Sequence, residues 1–230
     1  MDFKEKRIFG MIHLSPPNAI DKALEEIRIL EEEGVYGVII ENYHGSVNDV
    51  IYTLKRLPET SLKIGINILP NEIEEAYKIA SEYGVDFIQF DFISGTYKPN
   101  RKLDEDRYLE LRKENPDVFI MGGVWPKYYY PINDSDLSKD IRNASRIADA
   151  VVVTGSGTGM ETPFEKILAF HVELIGKDTP LIIGAGLDET NIEKQMEHAE
   201  GGIIGSAFKP DSHTMKMVDR ELVKNIMSKL

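Results

Sequence analysis

Short β-branched runs alternate with amphipathic segments along the whole chain, at a spacing of about 20 to 35 residues, the size of a βα unit. The runs that predict strands are Arg7 to Leu14, Tyr36 to Asn42, Lys63 to Leu69, Asp86 to Phe92, Val118 to Trp125, Ala148 to Thr154, Pro180 to Ala185 and Gly202 to Ser206. Between them, apolar residues return at helical spacing, as at Ile20, Ala23, Leu24, Ile27 and Leu30, and again at Val218, Leu222, Val223 and Ile226. An open doubly wound sheet would give the same alternation. The eight runs, and the lack of a Gly-x-Gly-x-x-Gly turn after the first of them, favour a single α/β domain over residues 1–230, a (β/α)8 TIM barrel. Helix starts are expected at Asn18, with Asp21 three residues on, and at two capping boxes, Thr162 with Glu165 and Thr190 with Glu193.

The chain is 230 residues long, 42% hydrophobic and 29% charged, an ordinary balance for one globular core. Its net charge of −12 disfavours nucleic acid and anionic membrane as partners. No run approaches the roughly 20 apolar residues of a membrane span, and the first residues lack a secretory apolar core, so a cytoplasmic protein is expected. With no cysteine, disulfides, thiolate metal sites and cysteine nucleophiles are excluded. Homo-oligomerisation is left open.

In barrels of this kind the loops after the strands build the working site. Nearly every predicted strand here ends on a polar residue: His13, Glu41 with Asn42, Asn67, Gln89 with Asp91, Lys127 just beyond the fifth, and Thr154. Glu41 or Asp91 is the candidate general base, because a carboxylate in a closed barrel mouth is pushed toward neutrality. Lys127 would stabilise developing negative charge or form an imine, while His13 and Asn67 would orient a ligand. The plainer alternative is that these groups satisfy one another, for example as a Glu41–Lys127 ion pair. The two carboxylates are also able to hold a magnesium ion, whereas the other histidines lack metal-ligand spacing. Trp125 and Tyr128 to Tyr130 are candidates for an aromatic wall or lid.

Glycines leave the last three strands: Thr154-Gly155 onward to Gly159, Gly184-Ala185-Gly186, and Gly205-Ser206. They admit close approach of backbone N–H groups to an anion, so a phosphorylated small molecule is the expected ligand, with Lys209 as an added counter-charge. Tight turns alone are the competing explanation.

Several of these segments together resemble the BtpA family. The carriers are Met11-Ile-His-Leu14, Glu41-Asn42, Ile64-Gly-Ile-Asn67, Gly84-Val-Asp-Phe-Ile88 with Ser94-Gly95, and Ala148-Asp149 through Val153-Thr-Gly155 and Thr158-Gly159. Ile183-Gly-Ala-Gly186 with Asn191, and Ile204-Gly-Ser206 with Lys209 and Val218-Asp219, complete the set. The resemblance implies a barrel related to the ribulose-phosphate-binding barrels. It also implies a rival function, a non-catalytic assembly or regulatory factor, since the family is named for a member linked to photosystem I biogenesis. The chain departs from the family at Ser15-Pro16-Pro17-Asn18, Asn42-Tyr43-His44-Gly45, Gln89-Phe90-Asp91, Gly123-Val124 and Lys127-Tyr128. These lie in the chemical half of the expected site more than in its phosphate half.

Overall fold

The computed structural model describes residues 1–98, 101–132 and 135–230. Eight parallel strands close into a barrel: β1 (Arg7–His13), β2 (Gly37–Glu41), β3 (Lys63–Asn67), β4 (Phe87–Ser94), β7 (Phe119–Val124), β9 (Ala150–Val153), β10 (Leu181–Ile183) and β11 (Gly201–Ile204). Each coincides with a run expected from the sequence. β1 closes the ring by pairing with β11, Phe9 opposite Ile203, and with β2, His13 opposite Glu41. Around the barrel stand α1 (Ala19–Glu32), α2 (Val47–Arg56), α3 (Ile73–Tyr83), α4 (Glu105–Glu114), α5 (Leu137–Ile147), α6 (Phe164–Leu174), α7 (Ile192–Met196) and α8 (Arg220–Met227). The expected (β/α)8 barrel is therefore the fold.

Successive side chains of a strand point to opposite faces, so each strand feeds two cores. Ile8, Ile12, Val38, Ile40, Ile64, Ile66 and Ile88 face outward and join the helices in one large cluster. Phe9, Met11, Ile39, Phe87, Met121, Val152, Ile182 and Ile203 fill the lumen as a second cluster. Phe9 and Phe87 meet edge to face at 5.3 Å across it. The lumen admits such rings because small residues face them: a methyl group at Gly65 would lie 2.3 Å from the Phe87 ring.

A small antiparallel sheet was not foreseen from the sequence. β5 (Thr96–Lys98) pairs with β6 (Arg101–Lys102) and β8 (Tyr130–Pro131), joining the loop after β4 to the loop after β7. Two- and three-residue strands are too short to show a period.

The helix caps are also corrected. Asn18 takes a left-handed conformation (φ 60°) and its side chain makes no capping bond. The Thr162 hydroxyl donates to the Ala185 carbonyl at 2.9 Å, and α6 begins behind Pro163 without a side-chain cap. The Thr190 hydroxyl donates to Asp188, and α7 starts after Asn191, likewise uncapped. Thr162 is taken by a distant carbonyl and Thr190 by a neighbouring carboxylate instead of by their helices. The complete capping box is on α2, where Ser46 and Asp49 exchange bonds.

Lys209 is the largest departure. Its ammonium is fully buried and donates to Glu26 Oε1 of α1 at 2.8 Å and to the Thr214 carbonyl at 3.1 Å, so it is no counter-charge for a ligand. Glu26 Oε1 also accepts from the Val218 backbone, and the pair fastens the C-terminal segment to α1. Lys209→Met should lower stability by about 3–5 kcal/mol, because it strands a buried carboxylate, and urea unfolding should show it as a lower midpoint at unchanged slope. Adding Glu26→Leu to that variant should restore most of the loss.

Candidate functional site

The same two-residue period that fills the lumen ends, one layer higher, on polar side chains. Above Phe9 and Met11 of β1 comes His13, above Ile39 of β2 comes Glu41, and above Phe87 of β4 come Gln89 and Asp91. Asn67 tops β3, and Thr154 follows β9. His13, Glu41, Asn67, Gln89 and Thr154 are all at least nine-tenths buried. Of the residues expected to act together, Glu41, Asn67 and Asp91 form one cluster: the Asn67 amide donates to Glu41 Oε1 at 3.0 Å and to Asp91 Oδ1 at 3.2 Å. Tyr129 donates its hydroxyl to Asp91 Oδ2 at 3.0 Å.

Burial pushes the Glu41 carboxyl up to about 7; the nearby Asp91 adds to the rise, while Lys127 and the Asn67 bond oppose it. His13 is driven well below its usual value, first by burial and then by Lys209 and Lys127, so its ring is neutral. Its Nε2 lies 3.8 Å from Glu41 Oε2, beyond a hydrogen bond, and its Nδ1 is buried without a partner. The Glu41–Lys127 ion pair, the plainer alternative to a working site, does not form among the described residues. Lys127 acts on Glu41 through its charge, and its backbone N–H is held by the Thr154 hydroxyl at 2.8 Å.

The fifth strand leaves the barrel through a strained turn, with Trp125 at φ 48° and Tyr128 at φ 68°. Lys166 of α6 secures it, donating to the Trp125 carbonyl and the Thr154 carbonyl, both at 2.8 Å. Burial lowers this lysine to about 8. Trp125 itself is turned away, its indole N–H bonded to Asp140, so it is no wall of the site. Tyr128 and Tyr129 do form one, with Tyr43 across from them; Tyr130 is largely exposed. The Tyr128 hydroxyl accepts the Thr158 N–H at 2.9 Å, and the Tyr43 and Tyr128 hydroxyls each lie 3.2 Å from Thr158 Oγ1. The loop after β9 is thereby tied over the mouth. Sequence reasoning gave no role to Tyr43 or Lys166, although Tyr43 directly follows the flagged Glu41-Asn42 pair, whereas Thr158 falls in the flagged Thr154 to Gly159 loop.

Two adjoining cavities occupy the mouth. One, of 360 Å³, is lined by Glu41, Gln89, Asp91 and the tyrosines. The other, of 30 Å³, is lined by His13, Gly159, Ala185, Gly186, Gly205 and Ser206, and both share Met11, Lys127 and Gly184. The glycine exits therefore gather on the smaller one. Several of the glycines have a packing role as well. A methyl group at Gly186 (φ 72°) would lie 2.2 Å from the Met160 carbonyl oxygen, and one at Gly205 would lie 2.5 Å from the His13 ring. Gly155 likewise lets its loop fold back, a methyl there meeting the Glu161 carbonyl oxygen at 2.7 Å. The Gly184 N–H is spent on the Val153 carbonyl at 2.7 Å, whereas those of Ala185, Gly186, Gly205 and Ser206 meet no acceptor among the described residues. Among those residues no group of three or more His, Asp or Glu is placed to hold a metal, and the Asn67 amide occupies the space between the two carboxylates considered for magnesium.

Residues 4–230 match the family described as the BtpA family. An uncharacterized protein of Methanocaldococcus jannaschii is 30% identical, with 98% of this chain and 95% of that protein covered. The photosystem I biogenesis protein BtpA of Synechocystis is 28% identical over 92% of this chain and 83% of its own length. Among solved structures, N-(5'-phosphoribosyl)anthranilate isomerase of Pyrococcus furiosus superimposes with a TM-score of 0.62 at 15% identity, covering 98% of each chain. Thiamine phosphate pyrophosphorylase of the same organism gives 0.67 at 11% identity, covering 99% and 96%. At such identities these two speak for the fold alone. No helix among the described residues is long and apolar enough to cross a membrane.

A carboxyl whose folded value is near 7 and whose unfolded value is near 4.5 binds more protons folded than unfolded between those limits. Its contribution is fully present below pH 4.5 and lost as pH rises through 7. Glu41→Gln should therefore raise stability at pH 8, by up to about 3 kcal/mol, and leave it nearly unchanged at pH 4. Chemical denaturation of both proteins at the two pH values reads the difference.

Proposed function

The chain belongs to the BtpA family, and on that premise we propose that it is an enzyme acting on a phosphorylated sugar or nucleotide-like small molecule. The observation that carries this reading is the continuity of two chemically opposite half-sites. A carboxylate cluster at Glu41, Asn67 and Asp91 adjoins a small glycine-lined cavity bordered by four backbone N–H groups without acceptors, and Lys127 stands where the two meet. The solved barrels it superimposes on include enzymes whose names carry phosphoribosyl and thiamine phosphate groups, which agrees with a phosphorylated ligand.

The phosphate would take the N–H groups of Ala185, Gly186, Gly205 and Ser206, in a place where fixed dipoles need no reorganisation to meet negative charge. The reacting carbon would then lie over Lys127 and Glu41. Glu41 is the better base of the two carboxylates, because Asp91 has a donor on each oxygen while Glu41 Oε2 has none among the described residues. Glu41 Oε2 would accept a proton from the substrate, and the Lys127 ammonium would stabilise the oxygen that gains charge. Neutral His13, with Nδ1 unpaired beside the glycine cavity and Nε2 toward Glu41, would orient the substrate between the halves. Isomerase, lyase and glycosyl-transfer reactions all fit such a base and oxyanion partner.

The name of the Synechocystis relative supports a second reading, a barrel kept as a scaffold for a partner protein. Native affinity purification separates the two: a stoichiometric partner, with no small-molecule binding by the purified chain, belongs to the scaffold.

Under the enzyme reading, inorganic phosphate and ribose phosphate should bind in a calorimetric titration, and Ser206→Asp should weaken both at least about 100-fold by placing a negative charge in the cup. A phosphorylated ligand seen elsewhere in a crystal of the complex would refute the cup. With an identified substrate, Glu41→Gln should lower turnover about 10²- to 10⁴-fold. The wild-type rate should rise with pH through about 7, as the base loses its proton. Full turnover in folded Glu41→Gln and Asp91→Asn proteins would end the assignment.

A further inference from the structure

The cavity of 360 Å³ beside the glycine cup receives whatever a ligand carries away from its phosphate, and its buried floor is weighted toward acceptors. The oxygens on or beside its floor are nearly all acceptors. Gln89 Oε1 and Asn67 Oδ1 are buried with no partner among the described residues. Asp91 has one donor on each oxygen, and Glu41 has one donor in all, although each carboxylate oxygen accepts two. On the donor side, the Gln89 amide nitrogen accompanies its oxygen, Lys127 stands at the junction with the cup, and Lys98 and Arg101 lie at the exposed rim. The walls are flat and mostly apolar, made by Tyr43, Leu69, Pro70, Pro126 and Tyr129.

A buried acceptor without a donor is costly, and a ligand that brings an N–H to it recovers that cost. An aliphatic amine would suit the floor but not the flat walls; an oxo ring would suit the walls and bring one ring N–H, but would set its carbonyl, where an amino ring has an NH2, against the floor oxygens. We infer that this cavity binds an amino-substituted planar ring, so that the ligand is a phosphate monoester ending in a cytosine- or adenine-like group. The ring would lie between Tyr43 and the Pro126–Tyr129 segment, its amino group shared by Gln89 and Asp91. This deepens the proposed function and rests on the phosphate lying in the glycine cup.

Matched pairs test it in calorimetric titrations of the intact chain: AMP against IMP and CMP against UMP, with ribose phosphate, glucosamine phosphate, adenosine and cytidine alongside. The amino member of at least one pair should bind about tenfold or more tighter than its oxo partner and than either sugar phosphate. Parity within both pairs, or a sugar phosphate bound as tightly, overturns the ring while leaving the cup intact. Nucleosides bound as tightly as their monophosphates overturn the cup instead. Binding by none of these compounds overturns both. Gln89→Leu should bring the amino-to-oxo affinity ratio toward one, and an undiminished ratio removes Gln89 from the assignment. If circular dichroism shows that variant unfolded, Asp91→Asn provides the same ratio.

Discussion

Closure of the barrel is the constraint from which the rest follows. Once β1 pairs with β11, every second side chain of each strand is committed to a lumen too narrow for water, and the lower layer has to be apolar. Phe9, Met11, Ile39, Phe87 and Val152 meet that demand. The top layer is the first position at which a polar side chain can reach a ligand or solvent, and each strand that ends on one places it there in a fixed register. His13 stands beside Glu41, and Glu41 beside Asn67, because those residues are cross-strand partners. The cluster is a consequence of strand pairing and owes nothing to the flexibility of loops.

Such a layer is electrostatically uncomfortable, and its discomfort is useful. Two carboxylates share one amide, Glu41 is desolvated, and the neighbouring histidine is neutral, so nothing within the layer cancels the negative charge. Compensation comes from Lys127, on a turn that the barrel alone does not hold. That turn needs two residues at positive φ, and Lys166 reaches from α6 to bind carbonyls on both sides of the gap between the fifth and sixth strand exits. Strain and a half-buried ammonium thus fix Lys127, the one cation among the described residues that lines both half-sites.

The strands and their polar ends were legible because both are encoded locally, in a two-residue period and in the residue that terminates it. The caps at Asn18, Thr162 and Thr190 were misread because a capping side chain in sequence is equally a donor for any nearby acceptor, and here Ala185 and Asp188 took two of them. Lys209 was misplaced for a related reason. It follows the glycine exit of β11 closely, but a 3-10 turn at Ser206–Phe208 carries the chain away, and its partner Glu26 lies 183 residues earlier, on what reads as the edge of a solvated helix face. Lys166 carries no local signal: a lysine in the first turn of an amphipathic helix ordinarily reads as surface.

The glycines show why packing and anion binding need not be rival explanations. Gly186 has no room for a side chain because the loop after β9 presses its Met160 and Glu161 backbone against that turn, and Gly205 has none because the His13 ring lies over it. Both contacts narrow the space beside Ala185, Gly186, Gly205 and Ser206 until no protein acceptor enters it, which leaves four N–H groups unmet next to a 30 Å³ cavity. The tight turns therefore leave donors facing the cavity that an anion would meet, and a substitution that relaxed the packing would disturb the turn and its donors together. For that reason a side chain at Gly186 or Gly205 disturbs structure and binding together.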